Sequence, residues 1–540
     1  LEAPFGRVRG LWYERGRVGS ERLGTWGSIR RAFASWRTAA VALLSFSSGL
    51  PLGLVWIAIP DWLRSTGVDI RVVGLLTLAQ APWTFKFLWA PLMDRWHVPG
   101  LGRRRGWAMV AQVGLFAGTL ALAGVGGHPD APWIVGALAL AIAFAAATQD
   151  IAIDAYAVDV LRPEEQGVAV GARTALYRAA MFVAGGLSIT LAGQYSWPLV
   201  NAGLAALYLP MLLVTWRAPE PDDVPPAPAT LREAVWLPFL GFLSRHRALE
   251  ILAFVLCYKL ADNLAGALTR PFLVDMGYDE WDRGVALASV GLGATLVGTF
   301  LGGVLTTGMG LGNALWVFGL LQLFSNIGYV LIAGSPVNRP LMYGATAFET
   351  LTSGMGTGAF SVLLLRLTQK RFSATQYALF SSLFGLPRLV SGPVSGFLVD
   401  ALGWKTFFWL TMVAGIPGLA LLWRFVPPGL REPVFTVEPP RARAPLSTGQ
   451  LAARGVAGGV VTAALTAVVV AALGALKTLR TSGTFDLATP LRALAEPAGV
   501  ADWVTLAGIA ATGLAAGLFT AAIVAARHGA VADLEDAATP

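Results

Sequence analysis

The feature that most constrains this chain is a series of apolar runs, each long enough to cross a bilayer. They lie near 38–59, 70–90, 106–126, 132–155, 167–193, 197–216, 249–269, 281–304, 312–333, 341–365, 375–399 and 403–425, and then 455–476 and 503–526. In hydrocarbon every backbone N–H and C=O has to be satisfied inside the segment, so runs of this length fold as helices. Composition agrees, since 55% hydrophobic residues, 13% charged residues and a mean hydropathy of +0.62 lie outside the range of soluble domains. The expected fold is an all-α membrane protein of about 14 spans, twelve plus two.

Charge placement sets the expected topology. Roughly 26 of the 40 Lys and Arg residues fall on one side, about nine on the other and about five within spans, which places both ends in the cytoplasm. The first 37 residues are Arg-rich and hold no apolar core for a signal peptide. A net charge of +8 needs no nucleic acid; a basic face against anionic membrane lipid suffices. The single cysteine, Cys257, sits within a span, which excludes a disulfide framework and a Cys-based metal site. No cofactor is expected. The four histidines, His97, His128, His246 and His528, lie in loops or tail, and no HExxH, GxSxG or P-loop pattern occurs, so neither an enzyme nor ATP-driven transport is supported.

The chain repeats itself at an offset of 210 residues. Residues 62–74 align with 272–284, matching Leu63 to Leu273, Gly67 to Gly277, Asp69 to Asp279 and Gly74 to Gly284. The same offset matches Gln166 to Gln376, Arg178 to Arg388 and Gly186 to Gly396. Two six-helix halves, 38–216 and 249–426, joined by a Pro-rich linker at 217–248, describe the major facilitator architecture, in which halves rock about a central site. A basic tail (1–37) precedes them; a second linker (427–454), two further helices (455–526) and a short cytoplasmic tail (527–540) follow. The two further helices carry no intramembrane charge and are expected to lie outside the twelve-helix core or against a partner.

Between the second and third spans, APLMDRWHVPGLGRRRGW (90–107) ends one helix on an Asp and opens the next with a basic cluster. It resembles the loop signature of the major facilitator superfamily, with Ala90 for the first Gly and an insertion before the arginines. Asp94, Arg95, Arg103 and Arg104 are the expected cytoplasmic gate, with Asp94 reaching a neighbouring helix terminus. A positive-inside anchor is the alternative role for the arginines. Together with FSSGLPLGL (46–54), Lys86, ATQDIAIDAYAVDVL (147–161) and Tyr177-Arg178, this loop resembles the AmpG family of muropeptide permeases over residues 38–200, and less closely over 249–425. The resemblance implies proton-driven uptake of 1,6-anhydro-muropeptides, N-acetylglucosaminyl-anhydro-N-acetylmuramic acid with or without its peptide, across the bacterial cytoplasmic (inner) membrane for peptidoglycan recycling. A proton-linked exporter or permease for another small molecule is the alternative that the repeat and gate alone allow.

Charges inside spans are costly and mark pathways. At about 1.5 Å per residue, Arg178, Arg388, Lys259 and Asp262 fall near mid-depth. The three cations form an expected anion-attracting set, or alternatively Arg178 and Arg388 brace each half against internal carboxylates. Lys86, Gln149, Tyr177, Tyr258, Asn263, Trp83 and Gln80 complete the expected substrate contacts, with Trp56 and Gln322 as further sugar readers. Asp150 is the first proton-coupling candidate, followed by Glu349 and Asp262, although Asp262 and Lys259, three apart on one face, could instead neutralise each other. Asp154 and Asp159 are expected at the gate with Arg95, Arg103 or Arg162. Protein partners are not indicated.

Overall fold

A computed structural model describes residues 34–65, 67–68, 79, 81–125, 132–221, 226–243, 245, 247–435, 446–483, 485–497 and 499–528. Among them the regular structure is helical. The first half contains α1 (Trp36–Ser65), α2 (81–95 among the described residues), α3 (Arg105–Val125), α4 (Pro132–Val160), α5 (Pro163–Ala192) and α6 (Trp197–Arg217). The second contains α7 (Ala248–Asp275), α8 (Trp281–Met309), α9 (Leu311–Ala333), α10 (Arg339–Leu367), α11 (373–402) and α12 (404–425), the last two separated by Gly403 at φ 74°. Then come α13 (Thr448–Ser482) and α14 (Val500–Arg527). Eleven of these are long and apolar enough to cross a membrane by length and composition. Helix α10 is as long as its neighbours but rich in Thr and Gly, and the first part of the 70–90 run lies outside the described residues.

The repeat is visible as matching chain geometry. Helix α1 ends at Ser65 and α7 at Asp275, and α5 begins at Pro163 where α11 begins at Ser373, all at the offset of 210. Gly67 and Gly277 close the first helix of each half with φ of 87° and 82°. Each donates to a carbonyl three residues back, Arg64 at 3.1 Å and Val274 at 2.9 Å. A side chain there would meet the left-handed penalty of about 1 kcal/mol, so glycine recurs for the same backbone reason twice.

Small residues bring the helices together. A Cβ on Gly49 of α1 would stand 2.1 Å from the Tyr177 carbonyl oxygen of α5, and one on Gly303 of α8 would stand 2.3 Å from that of Gly167 on α5. In lipid, where hydrophobic burial cannot drive association, such backbone contact is the main packing gain. Helix α5 therefore touches α1 within its own half and α8 across the halves.

The linker holds more structure than its Pro-rich composition indicates. Leu231–Leu243 forms a helix with Pro238 inside it, and the Pro238 carbonyl accepts from Gln376 Nε2 at 2.9 Å. Helices α13 and α14 cross at Gly455, Gly459, Gly513 and Gly517. Leu240 and Trp236 of the linker helix pack with Ala525 and Ala526 of α14, so the appended pair sits against the linker, outside the twelve-helix core.

Candidate functional site

At one end of the bundle, here the gate end, the two halves are sewn together. Asp94, fully buried at the end of α2, accepts from the Ala374 and Thr375 backbone N–H groups at 3.2 and 2.8 Å and from the Thr375 hydroxyl. It thereby caps α11 of the other half. Arg104 Nη2 donates to Asp94 Oδ1 at 2.6 Å and to the Ser373 hydroxyl at 2.8 Å, and its Nε donates to Asp159 Oδ2 at 3.0 Å. Arg103 donates to the carbonyls of Asp94 and Arg371 at 3.0 and 2.8 Å, and burial together with the neighbouring Arg104 pushes its pKa down to about 10. A second link joins Arg366 Nε of α10 to Gln166 Oε1 of α5 at 3.1 Å, while the other arm of Arg366 holds Glu432. Arg95 is half-buried and has no ion-pair partner among the described residues, so the gate is built from Asp94, Arg103, Arg104 and Asp159 without it.

Asp154 is a correction. It is bound by Lys86 Nζ at 3.3 Å and by Arg173 Nη2, and among the described residues no ion pair joins it to Arg95, Arg103 or Arg162. The reason is helical phase: Asp154 follows Asp150 by four residues and shares its inward face, which meets α2 and α5 above the rim. Lys86, expected to contact substrate, is buried in this ion pair and unavailable for that task. Asp150 faces Lys86, Asp154, Arg173 and the Ser48 hydroxyl, and no ion pair claims it among the described residues.

In the second half Lys259 is likewise spent. Its ammonium donates to Asp262 Oδ2 at 2.6 Å, to Gln322 Oε1, and to the Ser353 carbonyl and hydroxyl at 2.8 and 3.1 Å. Asp262 is therefore a fixed counter-ion, and Lys259 is not open to an anion in this conformation. Glu349, buried on α10, accepts from the Tyr329 hydroxyl at 3.3 Å.

Two expected sugar contacts are closed off for a related reason. Gln149 is fully buried, its oxygen taking the Ser47 hydroxyl at 3.1 Å and its amide donating to Ser48 at 3.2 Å. Tyr258 stacks on Phe360 at 5.5 Å and donates to the Leu315 carbonyl at 3.0 Å. Both brace helix contacts. Gln112 joins the first network through Ser47 and Thr215, and Gln322, its equivalent at the offset of 210, holds Lys259 in the other half. That recurrence was available in the sequence as a signal for the bracing role. Gln80 lies outside the described residues.

What stays open is the repeat-related pair. Arg178 of α5 and Arg388 of α11 act on each other electrostatically, Arg388 is exposed, and neither has an ion-pair partner among the described residues. Among the described residues no internal carboxylate braces either of them. Tyr177 precedes Arg178 on α5 and interacts electrostatically with it and with Asp150. Asn263 is half-buried on α7. Trp56 and Trp83 meet edge to face at 6.0 Å, and neither indole N–H has a hydrogen-bond partner among the described residues. Sequence reasoning did not single out Ser373, Thr375 or Tyr377, which serve the gate and the Arg173 pocket from α11.

Residues 41–392 match the family model of the Major Facilitator Superfamily. The anhydromuropeptide permease of Escherichia coli is 41% identical over 394 residues, covering 73% of this chain and 80% of that one. Among solved structures, the fucose:proton symporter of Escherichia coli superposes with a TM-score of 0.56 at 14% identity, covering 71% of this chain and 97% of that one. The human organic anion transporter TETRAN gives 0.53 at 14% identity, covering 72% and 99%. The two structural likenesses bear on the fold alone.

Proposed function

From its place in the Major Facilitator Superfamily, to which the chain belongs in company with the anhydromuropeptide permeases, we propose that it carries anhydro-muropeptides with protons from the periplasm to the cytoplasm across the bacterial cytoplasmic membrane. The observation that carries this reading is the Arg178–Arg388 pair. Two guanidinium groups expected at mid-depth, one from each half and neither paired with a carboxylate among the described residues, are costly in a membrane protein unless an anionic ligand completes them. A muropeptide brings carboxylates that each Arg can hold bidentately. The Trp56–Trp83 pair, with both N–H donors unspent among the described residues, supports a saccharide half of the ligand.

The sealed gate end supports a state open towards the opposite face. With the gate end cytoplasmic, as the basic residues favour, ligand and proton enter from the periplasmic side and the halves rock. Asp94 then leaves the α11 terminus and the site empties inward. Asp150, buried without an ion pair among the described residues, is the carboxylate that takes the proton, and Glu349 is the second candidate.

The test is uptake of labelled N-acetylglucosaminyl-anhydro-N-acetylmuramyl tripeptide into proteoliposomes, with and without an inward proton gradient. Native protein, Arg178→Ala and Asp150→Asn are compared. Gradient-driven uptake that Arg178→Ala abolishes and Asp150→Asn reduces to passive exchange supports substrate, site and coupling. No uptake by native protein under any gradient overturns the substrate and favours a different small molecule.

A further inference from the structure

Three consecutive residues at the start of α11 are gripped from two directions. Ala374 and Thr375 give their backbone N–H groups to Asp94 of α2, and Gln376 gives its side-chain Nε2 to the Pro238 carbonyl of the linker helix at 2.9 Å. The same nitrogen donates to Gln369 Oε1 at 2.9 Å, so both amide hydrogens of Gln376 are committed. The linker helix touches the end of α2 (Ala90–Arg95) as well as α11. Its Phe242 meets the Phe380 ring of α11 edge to face at 4.9 Å and shares one buried core with Ala90 and Met93 of α2. Gly241 permits the approach, since a Cβ there would stand 2.5 Å from Gln369 Oε1. One short helix thus lies against both sides of the gate.

That helix depends on its neighbours. Thirteen residues with a proline among them are too few to hold a helix by local bonds alone. Pro238 and Phe242 rest on α11, while Trp236, Leu237 and Leu240 pack with Leu451 of α13 and with Ala525 and Ala526 of α14. The pair that receives them is itself seated. Gly455 and Gly459 of α13 cross Gly513 and Gly517 of α14, and Phe519 of α14 packs on the main core. Contacts between the linker helix and α2 join the two sides of the gate and have to part when it opens. Those with α13 and α14 lie beside the gate and need not part.

We propose that the appended pair is a brace for the gate: α13 and α14 keep the linker helix folded and in place while the gate end is open, so that α2 closes onto a ready-made surface. Without the brace, closure has to order the linker helix as well, and the closed fraction falls. The two further helices thereby have a conformational task that needs no charge inside the membrane. It is exerted at the start of α11, one residue beyond the two that Asp94 caps. The inference asks nothing of the ligand, because the gate is read without one.

The test reads the gate and the linker helix separately, in the full chain with Cys257→Ser as background. Thr307→Cys, at the α5–α8 crossing, is labelled with a membrane-impermeant maleimide from the gate side, and hydrogen exchange is followed over 231–243. Leu240→Ala removes the contact from the linker side, and Ala525→Phe wedges it from α14. Both are expected to speed exchange in 231–243 and to raise labelling about threefold or more. Should Ala525→Phe fail to fold, Ala526→Leu is the milder wedge. Leu514→Ala, on the exposed side of α14, is expected to change neither reading. Labelling at the native rate in a variant whose linker helix exchanges faster overturns the proposal, because the helix then has no bearing on closure. Native exchange and labelling in the α14 variant beside faster labelling in Leu240→Ala also overturns it, since the linker helix would then act without the appended pair.

Discussion

The carboxylate of Asp94 on α2 accepts the backbone N–H of Thr375 on α11 at 2.8 Å, so a side chain of the first half caps a helix of the second. A cap normally stays within its own segment; here it has to be withdrawn each time the gate end opens. Its strength therefore enters the balance between closed and open states directly. Removing the cap with Asp94→Ala also takes one of two carboxylates from Arg104. The closed state is expected to lose about 2 kcal/mol, or about thirtyfold in the closed-to-open ratio. Distances between spin labels at the end of α2 and the start of α11 measure this. An unchanged distance distribution in the variant would show that the cap contributes nothing to closure.

Lys259 and Arg388 are both cations expected at mid-depth from the sequence, and they are expected to answer mutation in opposite ways. Lys259→Ala strips a half-buried carboxylate, Asp262, of its only ion-pair partner among the described residues and is expected to cost about 3 kcal/mol in stability. Arg388→Ala removes an exposed group with no ion-pair partner among the described residues, and thermal unfolding in detergent is expected to shift by no more than about 0.5 kcal/mol. Binding of the muropeptide is expected to weaken about tenfold or more in Arg388→Ala, because a charge-assisted contact is lost. Equal unfolding temperatures for the two variants would contradict this division of roles.

The sequence carried the fold further than the site because the two are written at different ranges. Helix lengths, the offset of 210 and the Gly67 and Gly277 turns are local properties that hydropathy and backbone sterics impose within one segment. Asp94 was legible too, since the helix end and the basic run after it mark a gate loop whatever they touch. Partner choice was not. Asp154 could have met any of several arginines, and only the lateral register of α2 and α5 against α4 gives it Lys86 and Arg173. Gln149 is an amide in a polar stretch, as suited to a sugar as to Ser47 and Ser48, and the distinction is whether α1 covers it. The linker helix escaped notice because its thirteen residues include Pro238 and are too short to span.

At the end opposite the gate, Asp279 and Asp282 grip Arg339 of α10, Asp279 at 2.9 Å, and the Tyr343 hydroxyl donates to Asp282 at 2.9 Å. The backbone N–H of Asp282, and after it Arg339, hold the Asp279 carboxyl below its ordinary value. A depressed carboxyl stabilises the folded form fully above the ordinary Asp value of about 3.9, and that stabilisation is lost as pH falls through the lower folded value. The clasp is thus expected to be intact near neutrality and to loosen only in strong acid. Hydrogen exchange in 276–284 and 337–341 is expected to accelerate below about pH 4 in native protein. In Asp279→Asn the exchange is expected to start faster and to show less pH dependence. Identical pH profiles for the two proteins would remove Asp279 from the clasp.

The crossing of α5 and α8 offers the sharpest steric test of closure. A Cβ on Gly303 would stand 2.3 Å from the Gly167 carbonyl oxygen and 2.5 Å from the Gly171 nitrogen, and both obstacles are backbone, which cannot swing aside as a side chain can. Gly303→Val is therefore expected to hold the gate end apart. On the same helix Gly293 has nothing within 4 Å of the equivalent position, so Gly293→Ala relieves helix entropy, by up to about 1 kcal/mol, without touching the crossing. With Cys257→Ser as background, a cysteine placed at Thr307 reports on the gate end. It is expected to react with a membrane-impermeant maleimide from the gate side several times faster in Gly303→Val than in Gly293→Ala. Counterflow of ligand is expected to be lost in the first and kept in the second. Equal labelling in the two variants would mean that α5 and α8 do not have to meet here for the gate to shut, and closure would then rest on Asp94 and α11 alone.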